Sequence, residues 1–332
     1  LYMARKISQY PGRPQNPPRG APPIHSHPTL SLADKVLQYL FPLLLPVAIM
    51  ASGDKEAIES IRRKATAMKL SPPHGYTMSS EKLAGVDCVI LSRESHSSEG
   101  PRTAVIYMHG GGMVLGDPSD FILGQRAPKV KATVYISVGY RLAPENPYPS
   151  GLDDVVSVLR FVANDVDFRK NHRVDAVAMY GISAGGYLAL VATVSYLQSS
   201  VSKTSLPLCA VGAEQPMVPI DPASDSAVLN AYTRTCPAEW LDWCWKVYSG
   251  DRTVSECMLG ITLKSTWESL PLGAPAIVMY TSKGDPMHDG QMKIAMASRA
   301  TTVVGQLSHA NATMETNLHE FLDAFNKAMI SR

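Results

Sequence analysis

The sequence predicts an α/β fold: a mostly parallel central sheet flanked by helices, with a helical cap at one edge. Three observations carry this. From residue 103 onward, short apolar runs rich in β-branched residues alternate with helix-periodic segments. The runs are near-continuously apolar rather than alternating, the pattern of strands buried on both faces. Two stretches, 30–70 and 221–265, break the alternation and read as helical insertions.

Taken in order, residues 1–29 form a proline-rich arm, "QYPGRPQNPPRGAPPIHSHP" among them, without periodicity and unlike a signal peptide. The chain begins at Leu1 rather than methionine, so a longer natural N-terminus stays open. Residues 30–75 are expected to be cap helices. Their apolar run "VLQYLFPLLLPVAIM" (36–50) has 15 residues and two internal prolines, short of the ~20 that span a bilayer. It reads as a buried or substrate-facing element, with a surface membrane anchor as the alternative. "DKEAIESIRRKATAM" follows as an amphipathic helix.

Residues 76–332 are expected to form the catalytic domain. "KLAGVDCVILSRE" (82–94) adds one or two antiparallel strands. The parallel strands are "TAVIYM" (103–108), "TVYISVG" (133–139), "VDAVAMY" (174–180), "LCAVGA" (208–213), "PAIVMY" (275–280) and "TTVVGQL" (301–307). "GLDDVVSVLRFVAND" is helical, with Val155, Val156, Leu159 and Val162 on one side. The insertion at 221–265 carries three of the four tryptophans. A lid shared with 30–75 is the favoured reading, because ligands bind beyond the carboxyl ends of parallel strands; extra core is the alternative.

Composition sets outer limits. Hydrophobic residues make up 45% and charged residues 18%, as in ordinary globular proteins. A formal charge of +2, with no basic run longer than "IRRKATAMK", argues against nucleic acid as a partner. The five cysteines show no CxxC or zinc-like spacing, so free thiols, no metal and a cytoplasmic location are expected. A homodimer is the assembly kept open.

The chemistry starts at "GISAG", 181–185, lying between a buried strand and an apolar helix. In that setting G-x-S-x-G is a nucleophile elbow, a strained turn that lifts a serine hydroxyl clear of the sheet. It makes Ser183 the candidate nucleophile. "HGGG", 109–112, ends the first parallel strand. A serine attacking a carbonyl generates an oxyanion that needs preorganised donors. The N–H groups of Gly111 and Gly112, with that of Ala184, can supply three. A phosphate loop would need a G-x-x-x-x-G-K-[ST] pattern, which is absent. His109 is expected to brace the loop rather than act as base.

On this scaffold the acid and then the histidine follow the serine in the chain. Asp285 comes just after a strand and is the candidate acid, with Asp289 in the same loop as fallback. His309, just after the last strand, is the candidate base. His319 lies on an amphipathic helix and His288 is too near Asp285. The sequon "NAT" at 311–313 would sit beside this site, a poor place for a glycan.

Together, "HGGG", "GYRLAPENPYPSGLDD" (139–154), "GISAGG" (181–186) and "GDPMHD" (284–289) resemble the hormone-sensitive-lipase-like family of α/β-hydrolases over roughly residues 80–330. The resemblance implies an α/β-hydrolase fold, an oxyanion hole at Gly111 and Gly112, nucleophile Ser183, acid Asp285 and an N-terminal cap over the acyl pocket. Three departures mark a divergent member. Ile182 stands where an acidic residue is usual. His309 is followed by Ala310-Asn311 rather than Gly-Phe. The segment between acid and base is shorter than usual.

The expected activity is a serine carboxylic ester hydrolase working through an acyl-enzyme, without a cofactor. Its substrate would be a small, mostly apolar acyl compound. An acyltransferase or lactone-forming cyclase shares the first half-reaction, and a non-catalytic hydrophobic-ligand receptor is a third reading. The pocket is expected to use the two insertions, with Phe41, Leu44, Trp240 and Trp243 as lining residues.

Overall fold

The computed structural model describes residues 58–59, 62–63, 71–94, 102–199, 202, 204–230, 238–271, 274–308 and 317–331. Phe41, Leu44, His309 and most of the expected cap helices lie outside the described residues.

Among the described residues eight strands form one sheet in the order β1-β2-β4-β3-β5-β6-β7-β8. They are β1 (Tyr76–Leu83), β2 (Val86–Arg93), β3 (Thr103–Met108), β4 (Val134–Val138), β5 (Ala176–Ile182), β6 (Leu208–Glu214), β7 (Ala276–Gly284) and β8 (Thr301–Ser308). β1 pairs antiparallel with β2, and β2 with β4; all other pairs are parallel. The expected segment 82–94 holds β2 and the end of β1, turned at Ala84-Gly85, but the hairpin starts earlier, at Tyr76, in a run that is mostly exposed and polar. The six expected parallel strands are all present.

The helices are α1 (Phe121–Arg126), α2 (Ser150–Asn164), α3 (Val166–Asn171), α4 (Ala184–Gln198), α5 (Asp225–Asn230), α6 (Ala238–Ser249), α7 (Val254–Cys257), α8 (Lys264–Glu268), α9 (His288–Ser298) and α10 (Asn317–Ile330). Two cores separate across the sheet, as side chains alternate along each strand. Ile106, Met108, Met179 and Val211 share a core with Val155 and Leu159 of α2, Leu188 and Val191 of α4, and Trp245 of α6. Val105, Tyr107, Ala178 and Tyr180 face the other way, towards Leu123 of α1 and Phe321 and Phe325 of α10. Both faces are thus covered over the middle of the sheet, which explains why β3, β4 and β5 lack a polar face, whereas the edge strand β1 is mostly exposed.

α4 is buried along almost its whole length. It is the helix that carries the serine turn into the middle of the molecule. Among the described residues no helix is long and apolar enough to cross a membrane.

Candidate active site

β5 delivers Ser183 to the carboxyl edge of the sheet, and α4 begins at the next residue. Ser183 has φ 54° and ψ −116°, a conformation that costs a non-glycine residue on the order of 1–3 kcal/mol and persists only when its surroundings dictate it. Here they do. The Ser183 N–H donates to Glu214 O at 2.9 Å, and its carbonyl accepts from Tyr187 N at 3.0 Å and Met217 N at 2.8 Å.

The flanking glycines are steric requirements. A Cβ on Gly181 would collide with the Gly185 carbonyl and lie 2.7 Å from Gly186 N. One on Gly185 would collide with the Met108 carbonyl and sit 2.6 Å from His109 O. The turn therefore fits only because strand β3 and helix α4 meet over bare backbone.

The glycine loop lies against this turn. The Cβ direction of Gly110 points at Ile182 O and at the Ser183 Cβ, 3.3 and 3.5 Å away. Gly111, Gly112, Met113 and Gly116 all have positive φ, at 116°, 66°, 60° and 114°. The carbonyl of Gly111 accepts from Val114 N (3.1 Å) and Leu115 N (2.8 Å), which closes the loop into a tight turn. Among the described residues, the N–H groups of Gly111, Gly112 and Ala184 donate to no backbone acceptor outside the regular helices and strands. Ala184 opens α4, where the first amides have no intrahelical partner.

His109 is 1% exposed. Its ring stacks on Tyr140, with centroids 4.3 Å apart and planes at 18°. Nδ1 lies 2.8 Å from Gly110 O and 3.1 Å from the Tyr140 hydroxyl, which also donates to His109 O at 2.7 Å. Burial pushes the imidazole pKa down from 6.5, so the ring is neutral and its Nδ1–H can donate to Gly110 O. A Cβ on Gly116 would collide with this ring.

Asp285 follows β7 directly and is fully buried. Oδ1 accepts from Met287 N at 2.9 Å, and Oδ2 accepts from Gln291 Nε2 at 2.9 Å. Gln291 also donates to Pro216 O at 3.1 Å. Asp289 behaves differently. Its Oδ2 accepts from Ser226 N at 2.9 Å while its own N–H donates to Ser226 Oγ at 3.1 Å, so it ties α9 to α5. His288 Nδ1 lies 2.9 Å from Thr281 Oγ1, and burial lowers its pKa. His319 is exposed on α10. His309 lies outside the described residues, but Ser308, which precedes it, is the register partner of Gly284, which precedes Asp285.

α6 meets the glycine loop from the other side. A Cβ on Gly112 would collide with Cys244 Sγ and approach Trp240 Cζ2 at 3.9 Å. Trp240, 7% exposed, stacks on the partly buried Trp243, with centroids 5.2 Å apart and planes at 21°. Trp245 points away from them, edge-on to Tyr187 of α4 at 5.0 Å, and joins the core. No cluster of three His, Cys, Asp or Glu able to hold a metal ion occurs among the described residues.

Sequence reasoning missed three polar groups. Gln291 holds the Asp285 carboxylate. A buried ion pair joins Arg126 Nη2 to Glu214 Oε1 at 2.7 Å, with the Tyr180 hydroxyl on Glu214; Glu214 is the residue whose carbonyl receives Ser183 N–H. Arg62 reaches the glycine loop. None belongs to a short motif: Arg62 and Arg126 meet partners far away in sequence, and Gln291 reaches Asp285 six residues back across a strand-to-helix turn.

The α/β-hydrolase fold family model matches residues 105–322, a span that contains the glycine loop, the serine turn, Asp285 and His309. The chain belongs to this family. The match agrees with the hormone-sensitive-lipase-like resemblance of the motifs. This α/β-hydrolase is 29% identical over 221 residues to the carboxylesterase NlhH of Mycobacterium tuberculosis (strain ATCC 25618 / H37Rv), covering 62% of this chain and 63% of that protein. It is 26% identical over 215 residues to the ethyl acetate hydrolase of Pseudomonas putida, with the same shares. The chain thus spans 63% of the length of these curated relatives. Its fold is similar to that of a hormone-sensitive lipase from a metagenome library, with TM-score 0.66, 18% identity, and 87% and 97% of the two chains covered.

Proposed function

We propose that this α/β-hydrolase is a serine hydrolase of carboxylic esters. The observation that carries the proposal is the contact between the strained Ser183 turn and the Gly110–Gly112 loop, in which the Gly111 and Gly112 amides have no backbone acceptor among the described residues. In this reading Ser183 Oγ attacks the ester carbonyl and His309 takes its proton. Asp285 orients the imidazole and stabilises its charged form. Gly111, Gly112 and Ala184 donate to the oxyanion, His109 holds the loop in shape, and His309 then protonates the leaving alcohol. Water, activated by the same histidine, releases the acid. The similarity to a carboxylesterase and to an ethyl acetate hydrolase supports the reaction class.

The substrate we infer is small and mostly apolar. Support comes from the stacked Trp240 and Trp243, whose helix packs on Gly112, and from the apolar run that includes Phe41 and Leu44. Residues 30–75 and 221–265 would together form the cap over residues 76–332. A panel of p-nitrophenyl esters of increasing chain length tests the reading. Turnover should be saturable, fall with chain length beyond an optimum, and vanish in Ser183→Ala. Equal turnover by Ser183→Ala would contradict it.

A further inference from the structure

Arg62 reaches the glycine loop from a distant part of the chain. Ile58 is buried in the main core, and Arg62, four positions later, is half-buried. Glu59 and Arg63 turn outward and pair with one another at 3.5 Å. The Arg62 guanidinium makes three kinds of contact. Nε donates to Val114 O at 2.8 Å and Nη2 to Ala143 O at 2.7 Å. Nη1 and Nη2 both reach the Glu145 carboxylate at 3.1 Å.

These acceptors define the loop. Val114 N closes the turn onto Gly111 O, and Ala143 N donates to Met113 O at 2.9 Å. The backbone between them passes through three successive positive φ values, one at Met113, which has a Cβ. Such a conformation needs support from outside. A planar guanidinium can serve two carbonyls and a carboxylate at once, which an ammonium on a flexible stem cannot. The pair with Glu145 is partly exposed, so its value lies in geometry rather than in bulk stability.

We propose that Arg62 is a positioning residue for the oxyanion hole: through Val114 it sets the Gly111 and Gly112 amides. The inference rests on the ester-hydrolase reading.

The test uses the full chain and p-nitrophenyl acetate, whose acyl group is too short to fill an acyl pocket. Arg62→Met keeps the stem and removes the donors. Because a misplaced catalytic group costs on the order of a hundredfold, its kcat should fall by about tenfold to a hundredfold, with KM changed by less than about threefold. Amide hydrogen exchange across 110–116 should quicken in parallel. Arg62→Lys, the variant that retains charge and fold if Arg62→Met does not, should recover part of the lost kcat. If kcat and exchange stay at wild-type values, or the loss lies wholly in KM, the inference is overturned while the ester-hydrolase reading stands. A wild-type protein inactive on every ester overturns both.

Discussion

Gly284 and Ser308 face each other in register across β7 and β8, and the chain continues from one into Asp285 and from the other into His309. The sheet thereby launches the candidate acid and the candidate base from neighbouring points on its carboxyl edge, on the side of β6 away from the serine turn.

That register discriminates between neighbours in sequence. Asp285→Asn is expected to lower kcat by about ten-thousandfold, because the imidazole loses its orienting charge. Asp289→Asn should leave kcat within about tenfold and instead loosen the α5–α9 contact through Ser226. Likewise His309→Ala should abolish turnover and His319→Ala, at an exposed helix position, should not. Steady-state kinetics and melting curves of the four variants provide the check; the opposite ranking would reassign the acid or the base.

Gln291 is expected to matter for both stability and rate. It donates to Asp285 Oδ2 and Pro216 O in a buried setting. Gln291→Leu removes these two hydrogen bonds, at about 1–3 kcal/mol each when a buried acceptor is left bare, and also the one that Thr281 Oγ1 donates to Gln291 Oε1. A lower melting temperature with a reduced kcat on a short ester is the predicted outcome, and an unchanged melting curve would contradict it.

The contact between α6 and the glycine loop can be measured as a coupling. A Cβ on Gly112 collides with Cys244 Sγ and comes within 3.2 Å of Cys244 Cβ. Gly112→Ala should therefore be severely destabilising, and Cys244→Ala should relieve part of that loss. A coupling energy of about 1 kcal/mol or more in the double-mutant cycle is expected. Relief should be partial, since the positive φ at Gly112 still disfavours a side chain. Strict additivity would mean that α6 does not press on the loop.

His109 gives the protein a sensitivity to acid. Its folded pKa lies below 6.5 because it is buried, so below that pH the unfolded chain binds a proton that the folded chain refuses. Stability is fully present above about pH 6.5 and is lost as the pH falls towards the folded value, at up to about 1.4 kcal/mol per unit. His109→Gln should melt lower than wild type at pH 8, yet decline less steeply between pH 7 and 5. His288, shifted in the same direction, leaves a residual slope. Parallel curves would show that His109 does not carry the effect.

The strands were legible because burial on both faces leaves an uninterrupted apolar run, as at Thr103–Met108, where reading and structure coincide. β7 was read too short. Its last residues, Thr281 to Gly284, look like a loop in sequence, yet Thr281 pairs with Val304 and its hydroxyl bonds within the fold to Gln291 and His288. The serine turn and glycine loop were legible because steric need forces glycine at 181, 185, 111 and 112. The tryptophan cluster was only half legible. Trp240 and Trp245 both join the core, but Trp240 approaches Gly112 and stacks on the partly buried Trp243 while Trp245 packs on Tyr187, a distinction set by helix rotation and tertiary packing. Arg62, Gln291 and the Arg126–Glu214 pair left no local signal, since a charged or amide side chain in a helix looks the same whether it meets solvent or a buried carbonyl.

The central claim is that Ser183 becomes acylated. Mixing the protein with a p-nitrophenyl ester, quenching in acid within the first turnovers and recording the intact mass tests it most directly. A gain equal to one acyl group, mapped by peptide sequencing to Ser183 and absent from Ser183→Ala, is the predicted result. Ester turnover with no adduct, or an adduct on another residue, would contradict it.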